Sequence, residues 1–352
     1  MKKHVNIPVF IPHLGCPNQC VFCNQRFISG VREFDPTKVD LIISEALQTV
    51  EEDAECEIAF FGGSFTGIDR DLMIGLLEIA NRYIKSGRVQ SVRLSTRPDY
   101  INEEILDILL QYGVQVIELG LQSFSDEVLL ASKRGHDSQI AMQACRLIKE
   151  KGFTLVGQMM VGLPKSDLAS EIKTAELICT SGAEYARIYP TVVFRDTELC
   201  AMTDSGEYSP LDTEEAVERS AAVYRYIHDR GVNVIRVGLC SSENLASEQT
   251  YFAGPNHPAL GELVLNRIYL QILREKIGQL NLDNNSVLTT YVPKGAISKA
   301  AGQKNKNKLI LIKEFNLGGL AFKEDAELSD FDIRIKMKGK EDVFKVTGTS
   351  RF

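Results

Sequence analysis

The sequence predicts an α/β chain: a partial (β/α)6-type open TIM barrel over residues 1–240, then a small C-terminal α+β domain over 241–352. Three observations predict it. Short apolar runs alternate with longer stretches at helical spacing, as βα units on a parallel sheet require. Six or seven such units can be counted, too few to close an eight-fold barrel. After about residue 240 the alternation stops.

Strands are expected at 6–11, 57–61, 91–96, 115–121, 154–161, 185–189 and 233–237. Helical spacing between them is carried by Leu41, Glu45 and Leu47, then by Leu72, Leu76, Ile79 and Tyr83. Ile105, Ile108 and Leu109 form a third stretch, and Ala141, Cys145 and Ile148 a fourth. Binding groups on such a sheet belong at the C-terminal ends of its strands. Beyond residue 240, a loop rich in Ser, Asn and Gly leads to Gly254-Pro255-Asn256-His257-Pro258. An apolar helix is expected at 260–277, and strands at 287–292, 309–315, 332–336 and 343–346, with 294–308 a basic polar segment. There is no internal repeat of solenoid type.

Hydrophobic residues make up 44% and charged residues 25%, ordinary for a globular chain with a core. No apolar run approaches the roughly 20 residues that span a bilayer. The N-terminus starts basic but lacks the apolar stretch and cleavage site of a signal peptide, so a cytoplasmic protein is expected, without a membrane. Net charge is −7, unevenly spread. Residues 294–352 hold 13 Lys and Arg against 8 Asp and Glu, a net of +5. A basic end on an acidic protein suits an anionic partner, though a solvated lysine-rich surface has the same composition.

Of eight cysteines, three crowd into Cys16-Pro17-Asn18-Gln19-Cys20-Val21-Phe22-Cys23, directly after the first strand. A compact CxxxCxxC loop can wrap three thiolates round one iron–sulfur cubane, leaving one iron open to a chelating ligand. A structural zinc would want a second ligand pair, which the chain lacks. The third reading is three buried structural thiols. Cys56, Cys145, Cys179, Cys200 and Cys240 show no ligand spacing and read as core.

Later strand ends carry further candidates. Gly62, Gly63 and Ser64 close the second strand, where glycine lets backbone approach a ligand. Arg97 and Asp99 lie in Ser95-Thr96-Arg97-Pro98-Asp99-Tyr100 after the third; Asn102 reads as a helix N-cap. In Ile117-Glu118-Leu119-Gly120-Leu121-Gln122, alternation puts Glu118, Gly120 and Gln122 on the inward face. A carboxylate there needs a ligand, a wet cleft or an ion pair. Arg134, in Lys133-Arg134-Gly135-His136, can pair with a carboxylate bidentately. The methionines of Gln158-Met159-Met160-Val161-Gly162-Leu163-Pro164 suit packing, and its Gly-Leu-Pro turn could border an adenine. Tyr189, Tyr251, Asn256 and His257 are substrate-side candidates, although His257 also suits an ordered turn.

The compact cysteine motif is that of the radical S-adenosylmethionine (SAM) superfamily. The order GGSF, STRPDY, IELGLQS, KRGHD, MMVGLP and IYPTVV, over about residues 10–240, resembles the radical domain of the Elongator catalytic-subunit family. The resemblance implies a [4Fe–4S] cluster on Cys16, Cys20 and Cys23. It implies S-adenosyl-L-methionine among Gly62, Gly63, Ser64, Arg97, Glu118, Gln122 and Arg134. It also implies a reductant such as flavodoxin or ferredoxin. The reaction implied is reductive cleavage of SAM to a 5′-deoxyadenosyl radical that abstracts hydrogen from the substrate. That family acts on the wobble uridine of tRNA, so RNA or another anionic substrate follows by analogy. No residue identifies the substrate or a catalytic group.

Three departures accompany the resemblance. Ser64 stands where the superfamily usually has Glu, so an acidic side chain is lost there while backbone recognition can persist. The cysteine spacing is shorter than in the Elongator subunits. No glycine-rich acetyl-CoA loop follows residue 240, and no acetyl-CoA partner is expected. The cysteine motif and the LGLQS strand are also similar to anaerobic coproporphyrinogen oxidases, an alternative disfavoured by an acidic main domain. A non-enzymatic RNA-binding module with a structural metal is the remaining alternative, opposed by the polar inward face of the fourth strand.

Overall fold

A computed structural model describes residues 4–17, 20–29, 33–51, 53–239, 247, 249–338 and 343–346. Cys240 lies outside these residues. The chain divides into two compact units, one of residues 1–216 and 226–258, the other of 217–225 and 259–352.

In the first unit, seven strands lie side by side in parallel. They are β1 (His4–Phe10), β2 (Glu55–Phe61), β3 (Ser91–Thr96), β4 (Val114–Gln122), β5 (Thr154–Val161), β6 (Tyr185–Pro190) and β8 (Asn233–Val237). Following one another in sequence order, with β1 and β8 at the two edges, they make the partial TIM barrel expected from the sequence. The crossovers return through helices: α1 (Gln25–Ser29) and α2 (Val39–Gln48) after β1, then α3 (Arg70–Lys85) and α4 (Glu103–Gln111) after β2 and β3. After β4 come α5 (Asp126–Ala131) and α6 (Ser138–Glu150), and after β5 comes α7 (Leu168–Thr180). Between β6 and β8 lie β7 (Val193–Phe194), α8 (Glu198–Asp204) and α9 (Thr213–His228). Strand β7 pairs antiparallel with β9 (Tyr251–Ala253), a two-stranded ribbon too short to show a period in sequence.

Ile117, Leu119 and Leu121 of β4 are fully buried on the helix-covered side. Helices meet that side through i, i+4 faces such as Val39, Ile43 and Leu47 of α2. Leu41, expected on that face, is 55% exposed, because the helix begins at Val39 and sets the buried stripe two residues away.

The inward side is charged. Arg93 Nε lies 2.9 Å from Glu57 Oε2, and Ser91 Oγ donates to Glu57 Oε1 at 2.6 Å. Arg187 Nε lies 3.2 Å from Glu118 Oε2, while Arg187 Nη1 donates to the Tyr189 hydroxyl at 3.1 Å. Burial pushes the Glu118 carboxyl up, opposed by Arg187 and Arg93. The inward carboxylate of β4 thus finds its counter-charge on β6, across the intervening β5.

The second unit contains α10 (Leu260–Gly278), β10 (Val287–Val292), α11 (Ile297–Ala301), α12 (Lys306–Glu314), β11 (Gly319–Glu324), β12 (Ile333–Met337) and β13 (Val343–Val346). Its sheet order is β11-β10-β12-β13, with β10 parallel to β11 and antiparallel to β12. The strand expected at 309–315 is instead the end of α12. A four-residue apolar run cannot distinguish helix from strand by period. Here Asn307 and Leu311 are buried at i, i+4 spacing while Leu309 is 61% exposed. Asn307 Nδ2 donates to the carbonyls of Asn266 at 2.7 Å and Ala300 at 3.2 Å, tying α12 to α10 and α11. The strand role passes to β11, which pairs with β10.

Candidate functional site

The segment after β1 turns back through His13 and Gly15, both at positive φ (59° and 72°), to present Cys16. It lies backbone to backbone on the segment after β2. Ser64 N–H donates to the Leu14 carbonyl at 2.9 Å. A Cβ on Gly63 would stand 2.4 Å from the Leu14 carbonyl oxygen and 2.6 Å from that of Ile11. A Cβ on Gly15 would stand 2.1 Å from the Ser64 oxygen, and one on Gly67 2.4 Å from the Gly15 oxygen. Gly15, Gly63 and Gly67 therefore let the cysteine loop seat on its neighbour.

The far end of the loop is pinned as well. His13 Nε2 accepts the Gln25 N–H at 2.9 Å, joining the residue before the loop to α1 after it. Burial and then Arg26 hold the His13 pKa down, in keeping with a ring nitrogen free to accept. Val21 N–H donates to Ser132 O at 3.3 Å, and Leu199 N–H to Val21 O at 2.8 Å. Val21 is buried with Val193, Leu199 and Tyr208.

Two arginines converge on this loop. Arg134 Nη1 lies 3.2 Å from Cys20 Sγ, and its Nη2 donates to the Gly120 carbonyl at 2.6 Å. A Cβ on Gly120 would stand 3.0 Å from Gln122 Nε2 and in ordinary contact, 3.6 Å, with Arg134 Nη2. Arg97 Nη1 is 3.9 Å from Cys20 Sγ, and its Nη2 also donates to the Arg134 carbonyl. Asp99 grips Arg97 through two bonds of 2.9 Å, and Asn102 caps α4 by accepting from Ile105 N–H at 2.9 Å. Both arginines are buried. Arg97 has its carboxylate in Asp99; among the described residues Arg134 has none, and its Nε finds no acceptor.

The other candidates divide. Ser64 is wholly buried, hydrogen-bonded to Thr96 Oγ1 at 2.9 Å and accepting from Arg97 N–H at 3.3 Å. Thr66 joins the same chain of hydroxyls at 2.6 Å. The Ser64 hydroxyl thus braces the Arg97 turn. Gln122 ends β4 at φ 65°, beside a shift in the register with β5, and accepts from Gln158 Nε2 at 3.0 Å. Glu118 lies two residues before Gly120 on the same face, engaged by Arg187. Lys133 turns away to Glu198 at 2.6 Å, and His136 is buried with its pKa down to about 4, through burial and then Arg134. The geometry adds His13, Gly15, Thr66, Gly67, Thr96 and Gln158 to the candidates; Gly15 beside Cys16 and Gly67 beside Thr66 were the legible signal.

A buried guanidinium without a carboxylate partner needs an anion. The thiols of Cys16 and Cys23 do not readily supply one. Burial, then the charges of Cys20 and Cys16, push Cys23 up to about 12. Cys16 is raised by burial, against the pull of Arg97 and Arg134. Metal coordination deprotonates thiols outright. Among the described residues, no three Cys, His, Asp or Glu groups converge as ligands of one ion. A cubane asks for something else, since each of its thiolates holds a different iron. Three thiols on one loop, with two buried arginines beside Cys20 to balance negative charge, are the donor chemistry that an iron–sulfur cluster uses.

The family model for the radical SAM superfamily matches residues 10–178, and the one for the radical SAM C-terminal domain matches 183–269. The chain belongs to the radical SAM superfamily. A radical SAM protein is an enzyme whose cofactors are a [4Fe–4S] cluster and SAM, which sets aside the non-enzymatic reading. The tRNA uridine(34) acetyltransferase of Methanocaldococcus infernus is 34% identical over 147 residues, 40% of this chain and 28% of that protein. Its counterpart in Methanocaldococcus jannaschii is 31% identical over 206 residues, 53% of this chain and 38% of that one. The chain thus spans under two fifths of the length of these relatives. The solved structure of Methanocaldococcus infernus Elp3 superposes with a TM-score of 0.60 at 22% identity, covering 80% of this chain and 64% of that one. It shares the fold. No helix among the described residues is long and apolar enough to cross a membrane.

Gly63→Ala tests the seat of the radical SAM loop. Because the clashing atoms are backbone, the variant is expected to lose about 1–3 kcal/mol of stability and much of its iron. Anaerobic denaturant unfolding and iron assay measure both. Gly75→Ala, in α3 with nothing within 4 Å, should lose neither.

Proposed function

We propose that Cys16, Cys20 and Cys23 hold the [4Fe–4S] cluster and that SAM lies beside them, toward Arg134, with RNA as the substrate. One observation carries this reading: Arg134, buried and without a carboxylate partner among the described residues, donates to Cys20 Sγ. When bound, the two cofactors supply reductive cleavage of the sulfonium to methionine and a 5′-deoxyadenosyl radical that takes a hydrogen atom from the substrate.

The chain's own residues bind, orient and shield. Arg134 offers positive charge and a free Nε–H where an amino-acid carboxylate would settle. Arg97, clamped by Asp99, keeps a second positive charge beside Cys20. The strand end at Gly62 and Gly63 presents backbone there, and the paired amides of Gln122 and Gln158 present donors and acceptors suited to sugar hydroxyls. Glu118 keeps Arg187 in place deeper in the barrel. Tyr189, held by its bond to Arg187, is assigned to the substrate in this reading. The electron comes from an external donor of the flavodoxin or ferredoxin type.

RNA is supported by the relatives named for tRNA uridine and by the basic end of the chain. The expected result is that undermodified total RNA raises 5′-deoxyadenosine formation about tenfold or more over nuclease-treated RNA, with mass spectrometry as readout. Equal formation with intact and digested RNA would reject RNA as substrate and leave the enzyme class standing.

A further inference from the structure

We propose that the open face of the second unit's four-stranded sheet is a platform for single-stranded RNA, centred on Tyr291. The proposal rests on RNA being the substrate class and adds where this chain would grip it.

Strand alternation divides the sheet cleanly. Leu288, Thr290 and Val292 of β10, Leu320 of β11, and Ile333 and Ile335 of β12 are buried on the side where α11 and α12 pack on β11. The other side carries Thr289 and Tyr291 of β10, Ala321 and Lys323 of β11, and Arg334 and Lys336 of β12. Ala321, Lys323 and Lys336 are exposed, and Tyr291 is half-buried.

Register places Tyr291 directly between Lys323 on one neighbouring strand and Arg334 on the other. Adjacent strands lie about 4.8 Å apart, so the ring is flanked on both sides by cations. The Arg334 guanidinium lies 5.2 Å from the ring centroid and Lys336 Nζ 5.5 Å. Asp325 pairs with Arg334. Among the described residues, no carboxylate pairs with Lys323 or Lys336. The face therefore offers an aromatic ring, a planar guanidinium and two free positive charges.

Single-stranded RNA needs those groups. Unstacked bases lie on aromatic rings and guanidinium planes, and lysines track the phosphates. A duplex keeps its bases stacked and has no use for Tyr291. A membrane surface would want apolar groups to insert; the face offers Ala321 and the edge of Val287. The setting agrees, because residues 294–352 carry a net +5 in a chain of −7.

The test is fluorescence anisotropy of the full-length, cluster-loaded protein with a labelled oligouridine of about twelve nucleotides. Tyr291→Ala is expected to weaken binding about tenfold, and Tyr291→Phe to leave it near wild type. Lys323→Ala and Lys336→Ala should each lower the slope of log affinity against log salt by about 0.7. Unchanged unfolding midpoints show that the variants are folded. If the wild type binds and every variant binds equally, the platform is wrong and the RNA reading stands. If the wild type binds no RNA, both fall. If the variants lose binding to anionic phosphatidylserine vesicles but keep RNA binding, the face belongs to a membrane and the proposal is overturned.

Discussion

Alanine at Cys16, Cys20 or Cys23 is expected to bring iron and acid-labile sulfide to background and to abolish SAM cleavage. The loss should exceed the roughly 10–100-fold that removing an outer-shell partner produces, since each thiolate would hold a different iron. The fold should persist. Backbone bonds from Ser64 to Leu14, Val21 to Ser132 and Leu199 to Val21, with the Gln25–His13 bond, seat the loop without its thiols. Cys→Ala at 20 also leaves Arg134 and Arg97 facing a smaller, uncharged group, so this variant should be the least stable of the three. Iron assay with near-ultraviolet circular dichroism separates lost cluster from lost fold. Full iron in any one variant would remove that cysteine from the ligand set.

Arg134→Ala is expected to weaken SAM binding by about 10–100-fold, the range of one or two charge-assisted hydrogen bonds. Arg134→Lys should restore only part of it. An ammonium cannot serve Gly120 O and Cys20 Sγ in the fork that the guanidinium makes, nor offer the further Nε–H. Equilibrium dialysis under anaerobic conditions measures the affinity, and iron content shows whether the cluster survives. Unchanged affinity in Arg134→Ala, with iron intact, would move the carboxylate site elsewhere.

What could be read beforehand follows from which residues carry a strong local constraint. Three cysteines in eight residues after a strand admit few readings. The alternation of β4 places Glu118, Gly120 and Gln122 inward whatever surrounds them. The seven-stranded order was legible because each βα unit repeats the same pattern. Partners brought together by tertiary folding were not. Nothing near Ser64 tells that its hydroxyl meets Thr96, and nothing near Glu118 identifies Arg187, 69 residues on, as its counter-ion. Gly15 and Gly67 reveal their purpose only when two loops meet backbone to backbone. The segment at 309–315 failed for a different reason: Leu309, Ile310, Leu311 and Ile312 fit either period, and burial of Asn307 with Leu311 settled it.

The most direct measurement is 5′-deoxyadenosine produced by the anaerobically reconstituted protein with dithionite and SAM, beside the Cys16/Cys20/Cys23 triple-alanine variant. The account predicts product from the wild type and none from the variant. Equal product from both, or a wild type that takes up zinc and assembles no cluster, would contradict it.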